Sequence, residues 1–143
     1  MYEFLKGGDS SLVKRKWPKR GVIGVLINQD RLLVVRRAES VSKGGWWCFP
    51  GGHLEAGENA RVAVRRELQE ELGILISPVR RLGSLRVQDS GHVLAVWEVA
   101  HDCGEIAPSP LEISEFRWLT PSAIRRIPQG LPSNEQVLRM LGV

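Results

Sequence analysis

GHLEAGENARVAVRRELQEELGI, residues 52–74, is the stretch on which the fold turns. From about Asn59 to Leu72 it is dominated by good helix formers, among them Ala60, Ala63, Arg65, Leu68 and Gln69. Gly73 is a natural C-terminal cap. Val64, Leu68 and Leu72 recur at i, i+4 and i+8, a stripe able to pack on a sheet. Glu67, Glu70 and Glu71 lie at i, i+3 and i+4, so three carboxylates share one face within about one turn. Such acids repel one another unless something cationic sits among them. Arg61, Arg65 and Arg66 can supply that charge as a solvated salt-bridge face. The other candidate is a hard divalent ion, Mg2+ or Mn2+, which takes carboxylate oxygens and shares substrate phosphates. Glu58 stands just before the helix, near its positive end.

Outward from this helix the chain alternates strands and turns. Upstream, residues 22–27 and 32–35 are short aliphatic runs around Asn28-Gln29-Asp30, which predicts a hairpin. Both runs are apolar on both faces, so the hairpin is expected between layers. A polar loop over 38–45 leads to Trp46-Trp47-Cys48-Phe49, closed by Pro50-Gly51-Gly52, a tight backbone path. Downstream, residues 74–77, 80–87 and 92–99 read as three strands, with a turn at 88–91 and a loop over 101–111. Residues 116–119 are a further short strand. Thr120 and Pro121 open a helix as N-cap and first-turn residue. A last helix is expected from Ser133, in capping-box spacing with Gln136, to about Leu141. With no repeat and no linker, the pattern predicts one mixed α/β domain, a mixed sheet covered by helices on both faces.

The chain has 143 residues, of which 43% are hydrophobic and 25% charged. That excludes a disordered chain, a collagen and a coiled coil. The net charge of +4 invites a polyanion reading, so its location matters. Residues 1–20 carry six cations and two anions, which is the whole excess. The remaining residues hold 14 charges of each sign and are neutral. The basicity therefore belongs to an N-terminal arm, residues 1–20, and residues 21–143 form the domain proper. Cys48 and Cys103 lie far apart with no CxxC, which is neither a metal motif nor a disulfide scaffold. No apolar run approaches a membrane span, and the N-terminus lacks a secretory signal pattern. A reducing cytoplasm is the expected compartment.

Gly52, Glu58, Arg66-Glu67-Leu68, Glu70-Glu71, Gly73 and Ile74 match the pattern G-x5-E-x7-R-E-U-x-E-E-x-G-U, where U is a bulky aliphatic residue. All nine specified positions agree, and the segment resembles the box of the Nudix hydrolases. The resemblance implies an α/β/α sandwich with a mixed sheet, the box forming loop–helix–loop. It implies hydrolysis of a nucleoside diphosphate linked to another moiety, with Mg2+ or Mn2+. Carried over by position, Glu67, Glu70 and Glu71 are the expected metal ligands, with the Gly52 carbonyl as a further one. Glu58 and Arg66 are implied supports, Arg66 orienting a catalytic glutamate. Metal ions neutralise a pyrophosphate and lower the pKa of a bound water. One glutamate then orients or deprotonates that water, and Glu67 is the first choice. A fourth acid outside the box completes the metal site in this family, with Glu112 and Glu115 as the candidates.

The similarity extends to the MutT-like branch, the nucleoside triphosphate pyrophosphohydrolases. Val34-Val35-Arg36-Arg37-Ala38 stands at MutT-like spacing from Trp47-Cys48-Phe49-Pro50-Gly51-Gly52. Pro132-Ser133-Asn134-Glu135 resembles the branch's terminal P-x-N-E segment. Mapped here, Arg37 contacts substrate phosphate or ribose, with Arg36 beside it. Asn134 contacts the base through an amide that both donates and accepts. Phe49, beside Trp46 and Trp47, is either core packing or a stacking platform. The competing readings place Asn134 exposed in a first helical turn and Arg36 and Arg37 as a strand-end surface pair. His53 and His92 read as loop and strand polar residues rather than ligands. Asp89-Ser90-Gly91 occupy the region where ADP-ribose and diadenosine polyphosphate branches carry a diagnostic Pro or Tyr. The expected substrate is thus a nucleoside or deoxynucleoside triphosphate, converted to monophosphate and pyrophosphate by a monomer or homodimer. ADP-ribose or another nucleotide conjugate is the alternative. A 5′ RNA end is less favoured, with the basic arm as its support. A non-enzymatic nucleotide sensor is disfavoured because every box glutamate is present.

Overall fold

The computed structural model describes residues 19–143. Apart from Lys19 and Arg20, the expected basic arm lies outside the described residues. Strand β1 (Arg20–Asn28) turns through Gln29-Asp30 into β2 (Arg31–Arg37), the hairpin expected from the sequence. The short strands β3 (Trp47–Cys48) and β4 (Gly51–His53) follow, then helix α1 (Ala60–Leu72). After it come β5 (Leu75–Arg86), β6 (Val93–Cys103) and β7 (Ile113–Leu119). Helices α2 (Pro121–Arg126) and α3 (Ser133–Leu141) close the chain. No helix among the described residues is long and apolar enough to cross a membrane.

Strand β1 is the axis of the mixed sheet. It runs parallel to β6 from Arg20/Val93 to Leu26/Val99, and antiparallel to β4. Its far end pairs with β2, which carries β3 and β7 as antiparallel neighbours. Strand side chains alternate between faces. Val22 and Leu26 therefore meet α1, together with Leu33 and Val35 of β2. Ile23 and Val25 meet the opposite layer, where Ile124 of α2 and Val137 and Leu138 of α3 are buried. Two cores flank one sheet, the expected α/β/α sandwich.

The structure corrects several expected boundaries. The strands expected at 74–77 and 80–87 are one strand, β5, with register shifts at Pro78/Arg80 and Arg81/Gly83. Proline cannot donate to a ladder but is accommodated at such irregularities, so Pro78 interrupts the register and not the strand. β6 extends to Cys103 and β7 begins at Ile113, because β5 continues the ladder of the first to Leu75/Cys103 and β2 that of the second to Arg37/Ile113. Thr120 caps α2 as expected, its hydroxyl accepting from the Ala123 N–H at 3.2 Å. The capping box at Ser133 does not form. Pro132 is the N-cap residue, itself helical, and no side chain caps α3.

Candidate active site

Local signals fix how α1 presents its acids. The Asn59 side chain accepts from the Val62 N–H at 3.0 Å, satisfying a donor that the helix leaves free. Gly73 ends the helix with φ at 70°, a left-handed conformation that glycine adopts without strain. Ala63, Val64, Leu68 and Leu72 are fully buried against the sheet, which sets the rotation of the helix. Glu71 then points inward and is buried. Glu67 is largely enclosed, and Glu70 lies at the solvent edge.

Arg66 is the hub of these acids. Its Nε and Nη2 donate to the two oxygens of Glu58 at 2.7 and 2.8 Å, a bidentate pair. Nη1 donates to Glu67 and to Glu70, each at 3.1 Å, and Nη2 also reaches the His53 carbonyl at 2.9 Å. Glu55, which sequence reasoning missed, adds a fourth carboxylate at 3.6 Å. The guanidinium beside Glu58, with the Glu55 N–H, lowers the Glu58 carboxyl to about 2. The same hydrogen bonding raises Arg66 further above its ordinary range. Arg66 therefore stays charged and locks Glu67 in place. Arg61 and Arg65 take no ion-pair partner among the described residues.

Glu71 contrasts with Glu58. Burial first, then the Glu67 charge, pushes its carboxyl up to about 8. Its polar contact is the Gly51 N–H, which donates to it at 3.2 Å. Burial also raises Glu67, against the pull of Arg66. Gly52 closes this corner. A β-carbon there would fall on the Glu67 carboxylate, so only glycine leaves room for the acid beside β4. Gly52→Ala is expected to displace Glu67 and abolish turnover while the helix remains folded. Steady-state assays beside far-ultraviolet circular dichroism check this.

The donor set fits a hard divalent cation: buried Glu71, without an ion-pair partner among the described residues, with Glu67, Glu70 and the backbone at Gly52, all oxygen. Among the described residues, no three His, Cys, Asp or Glu side chains converge closely enough to hold a metal ion as they stand. The reason is visible, because Glu67 and Glu70 both face Arg66 Nη1. Glu112 and Glu115 separate clearly. The negative charge of Glu112 bears on both Glu67 and Glu71. Glu115 is instead engaged by Arg117 at 3.1 Å and Arg36 at 3.8 Å.

The other candidate residues divide by strand face. Arg37 shares the α1 side with Leu33 and Val35, and its charge acts on Glu71 and on Cys48. Its Nε donates to the Ser42 carbonyl at 2.5 Å. Arg36 points the other way, held by the Gly45 carbonyl at 3.2 Å and by Glu115. Phe49 is packed in the α2–α3 core at 4% exposure, which corrects the stacking-platform reading: its ring has no free face. Asn134 is not an exposed first-turn residue. It is buried, and its Nδ2 donates to the Trp47 carbonyl at 3.1 Å. His53 and His92 meet each other, ring nitrogens 3.3 Å apart, rather than any of the acids.

The NUDIX domain family matches residues 17–141. A MutT-like protein of Streptomyces ambofaciens is 34% identical over 104 residues, 72% of this chain and 64% of that one. The CTP pyrophosphohydrolase of Escherichia coli (strain K12) is 30% identical over 110 residues, 75% of this chain and 80% of that one. Among solved structures, the MutT protein from Methanosarcina mazei Go1 superposes with a TM-score of 0.77 at 23% identity, over 90% of this chain and 97% of that chain. An intact acidic helix, a glycine that makes room for its first acid, and a family match over nearly the whole chain lead to one conclusion: the chain belongs to the Nudix hydrolase family, enzymes that cleave phosphorus-containing acid anhydrides.

Proposed function

We propose that the chain hydrolyses a nucleoside or deoxynucleoside triphosphate to the monophosphate and pyrophosphate, using Mg2+ or Mn2+. The observation that carries this is the pairing of a buried Glu71, which has no ion-pair partner among the described residues, with an Arg66-held Glu67 across Gly52. Glu67, Glu70, Glu71 and the Gly52 carbonyl would hold the metal, with Glu112 as the outer acid. A bound divalent ion supplies charge neutralisation on the pyrophosphate oxygens. Glu58 fixes Arg66, and Arg66 fixes Glu67. Glu67 orients the attacking water and accepts its proton at a carboxylate oxygen. Water's oxygen bonds to phosphorus as the anhydride bond breaks, and pyrophosphate leaves. Arg37, on the same side of the sheet, would meet substrate phosphate or ribose, and Asn134 the base.

The similarity to a CTP pyrophosphohydrolase supports this reading, while other relatives are named NAD-capped RNA hydrolases, so the substrate class is what the experiment must decide. Both cysteines are free, which suits the reducing cytoplasm of this reading. The test is a product screen with Mg2+ and with Mn2+ over nucleoside triphosphates, ADP-ribose, a nucleotide sugar and capped RNA. Triphosphates should be turned over to monophosphate and pyrophosphate. A clear preference for a conjugate or for capped RNA would replace the triphosphate assignment.

A further inference from the structure

His53 and His92 are two of the three histidines in the chain. They stand 39 positions apart, and the sheet brings them together. His53 ends β4, opposite Gly21 of β1. His92 immediately precedes β6, and its carbonyl accepts from the Val87 N–H at 2.8 Å across the β5–β6 turn. β4 and β6 flank β1, which sets them about 9–10 Å apart. Gly21 pairs with both and places no side chain between them. The two rings meet there, Nε2 of His53 lying 3.3 Å from Nδ1 of His92, with ring planes at 87°.

That spacing has a chemical meaning. It lies beyond the about 2.7–3.2 Å of ordinary N–H···O hydrogen bonds. A tetrahedral ion with Zn–N bonds of about 2.0–2.1 Å sets two ligand nitrogens about 3.3–3.4 Å apart. The pair is at the surface, where an ion from solvent reaches it. Imidazole nitrogen suits Zn2+, Ni2+ and Cu2+, whereas Mg2+ takes oxygen. The acids of α1 are a separate place. Neighbouring strand residues point to opposite faces, so Gly52 turns towards Glu67 and His53 away from it.

We propose that His53 and His92 form a two-histidine site for a borderline transition-metal ion such as Zn2+, with water completing its coordination. A bound ion ties β4 to the start of β6 across the end of β1. With two protein ligands, it is held less tightly than in a closed four-ligand centre. The charges of Lys19 and Arg37, which reach His53, oppose a dication and keep the binding reversible.

The test is calorimetric titration of Zn2+ into the full chain carrying Cys103→Ser, which removes the exposed thiol as a rival donor. Excess Mg2+ suppresses binding at the oxygen donors of α1. One saturable Zn2+ event is expected. Both His53→Gln and His92→Gln should weaken it by more than the about 10- to 100-fold lost with outer partners of a metal. Imidazole NMR of the chain with all three histidines needs no further variant to fold. On Zn2+ addition the His53 and His92 signals should shift together while His101 stays. Binding that survives either substitution, shifts confined to one ring or to His101, or no Zn2+ binding at all overturns the proposal and leaves the pair a hydrogen bond only.

Discussion

Glu67→Gln is expected to lower kcat by about 10^2- to 10^4-fold, the range that a positioned general base contributes. The substitution keeps the shape and removes the negative charge and the proton-accepting oxygen. Arg66 still finds Glu58 and Glu70, so the local ion-pair network survives. Urea denaturation should therefore show little change in stability while steady-state turnover collapses. A loss of less than tenfold would move the base role to another acid. Glu58→Gln separates support from chemistry. It should reduce turnover less, because it loosens Arg66 without touching the reacting water.

The second large effect concerns metal-free protein and pH. Glu71 titrates near its ordinary 4.5 when unfolded and at about 8 when folded. Between those values the folded state holds the extra proton, so stability falls as pH rises from about 4.5 to about 8. A tenfold difference in proton affinity between the two states is worth about 1.4 kcal/mol, so the total is a few kcal/mol. Glu67, raised as well, acts in the same sense. Glu58 has the opposite sign in a separate window, its contribution being lost as pH falls from about 4.5 towards 2. His53, lowered by burial and by the neighbouring His92 and Lys19 charges, weakens the fold on acidification below its ordinary 6.5. The difference between wild type and Glu71→Gln isolates the Glu71 contribution. Thermal melts without metal should show the variant gaining on wild type from pH 5 to pH 8. Excess Mg2+ or Mn2+ should restore the wild type alone, because a cation favours the ionised carboxylate. A variant that tracks wild type across this range would contradict the assigned burial of a proton on Glu71.

The helix and its acids were legible in the sequence because every signal there is local. Asn59, Gly73 and the 64/68/72 stripe fix one helix, and its period places Glu67, Glu70 and Glu71 together. The layered fold followed from the doubly apolar hairpin, whose alternating residues serve two cores. What the sequence hid depends on tertiary register. The different surroundings of Glu112 and Glu115 follow from β7 pairing Arg36 with Glu115, which engages that acid elsewhere. The burial of Asn134 depends on a carbonyl 87 positions away in sequence. Glu55 gave a weak signal, three residues before Glu58, and joins the Arg66 hub only through the loop's shape. The continuity of β5 through Pro78 reflects its long partner β6 and not its own composition.

The proposed chemistry stands on the α1 acids beside Gly52 acting as a divalent-metal centre. Titration of Mn2+ into wild type and Glu71→Gln, followed by electron paramagnetic resonance of the free ion, decides whether they do. Wild type is expected to bind Mn2+ saturably, in competition with Mg2+, and Glu71→Gln to lose that binding. Equal binding by both proteins would place the metal elsewhere and contradict the assignment of this centre.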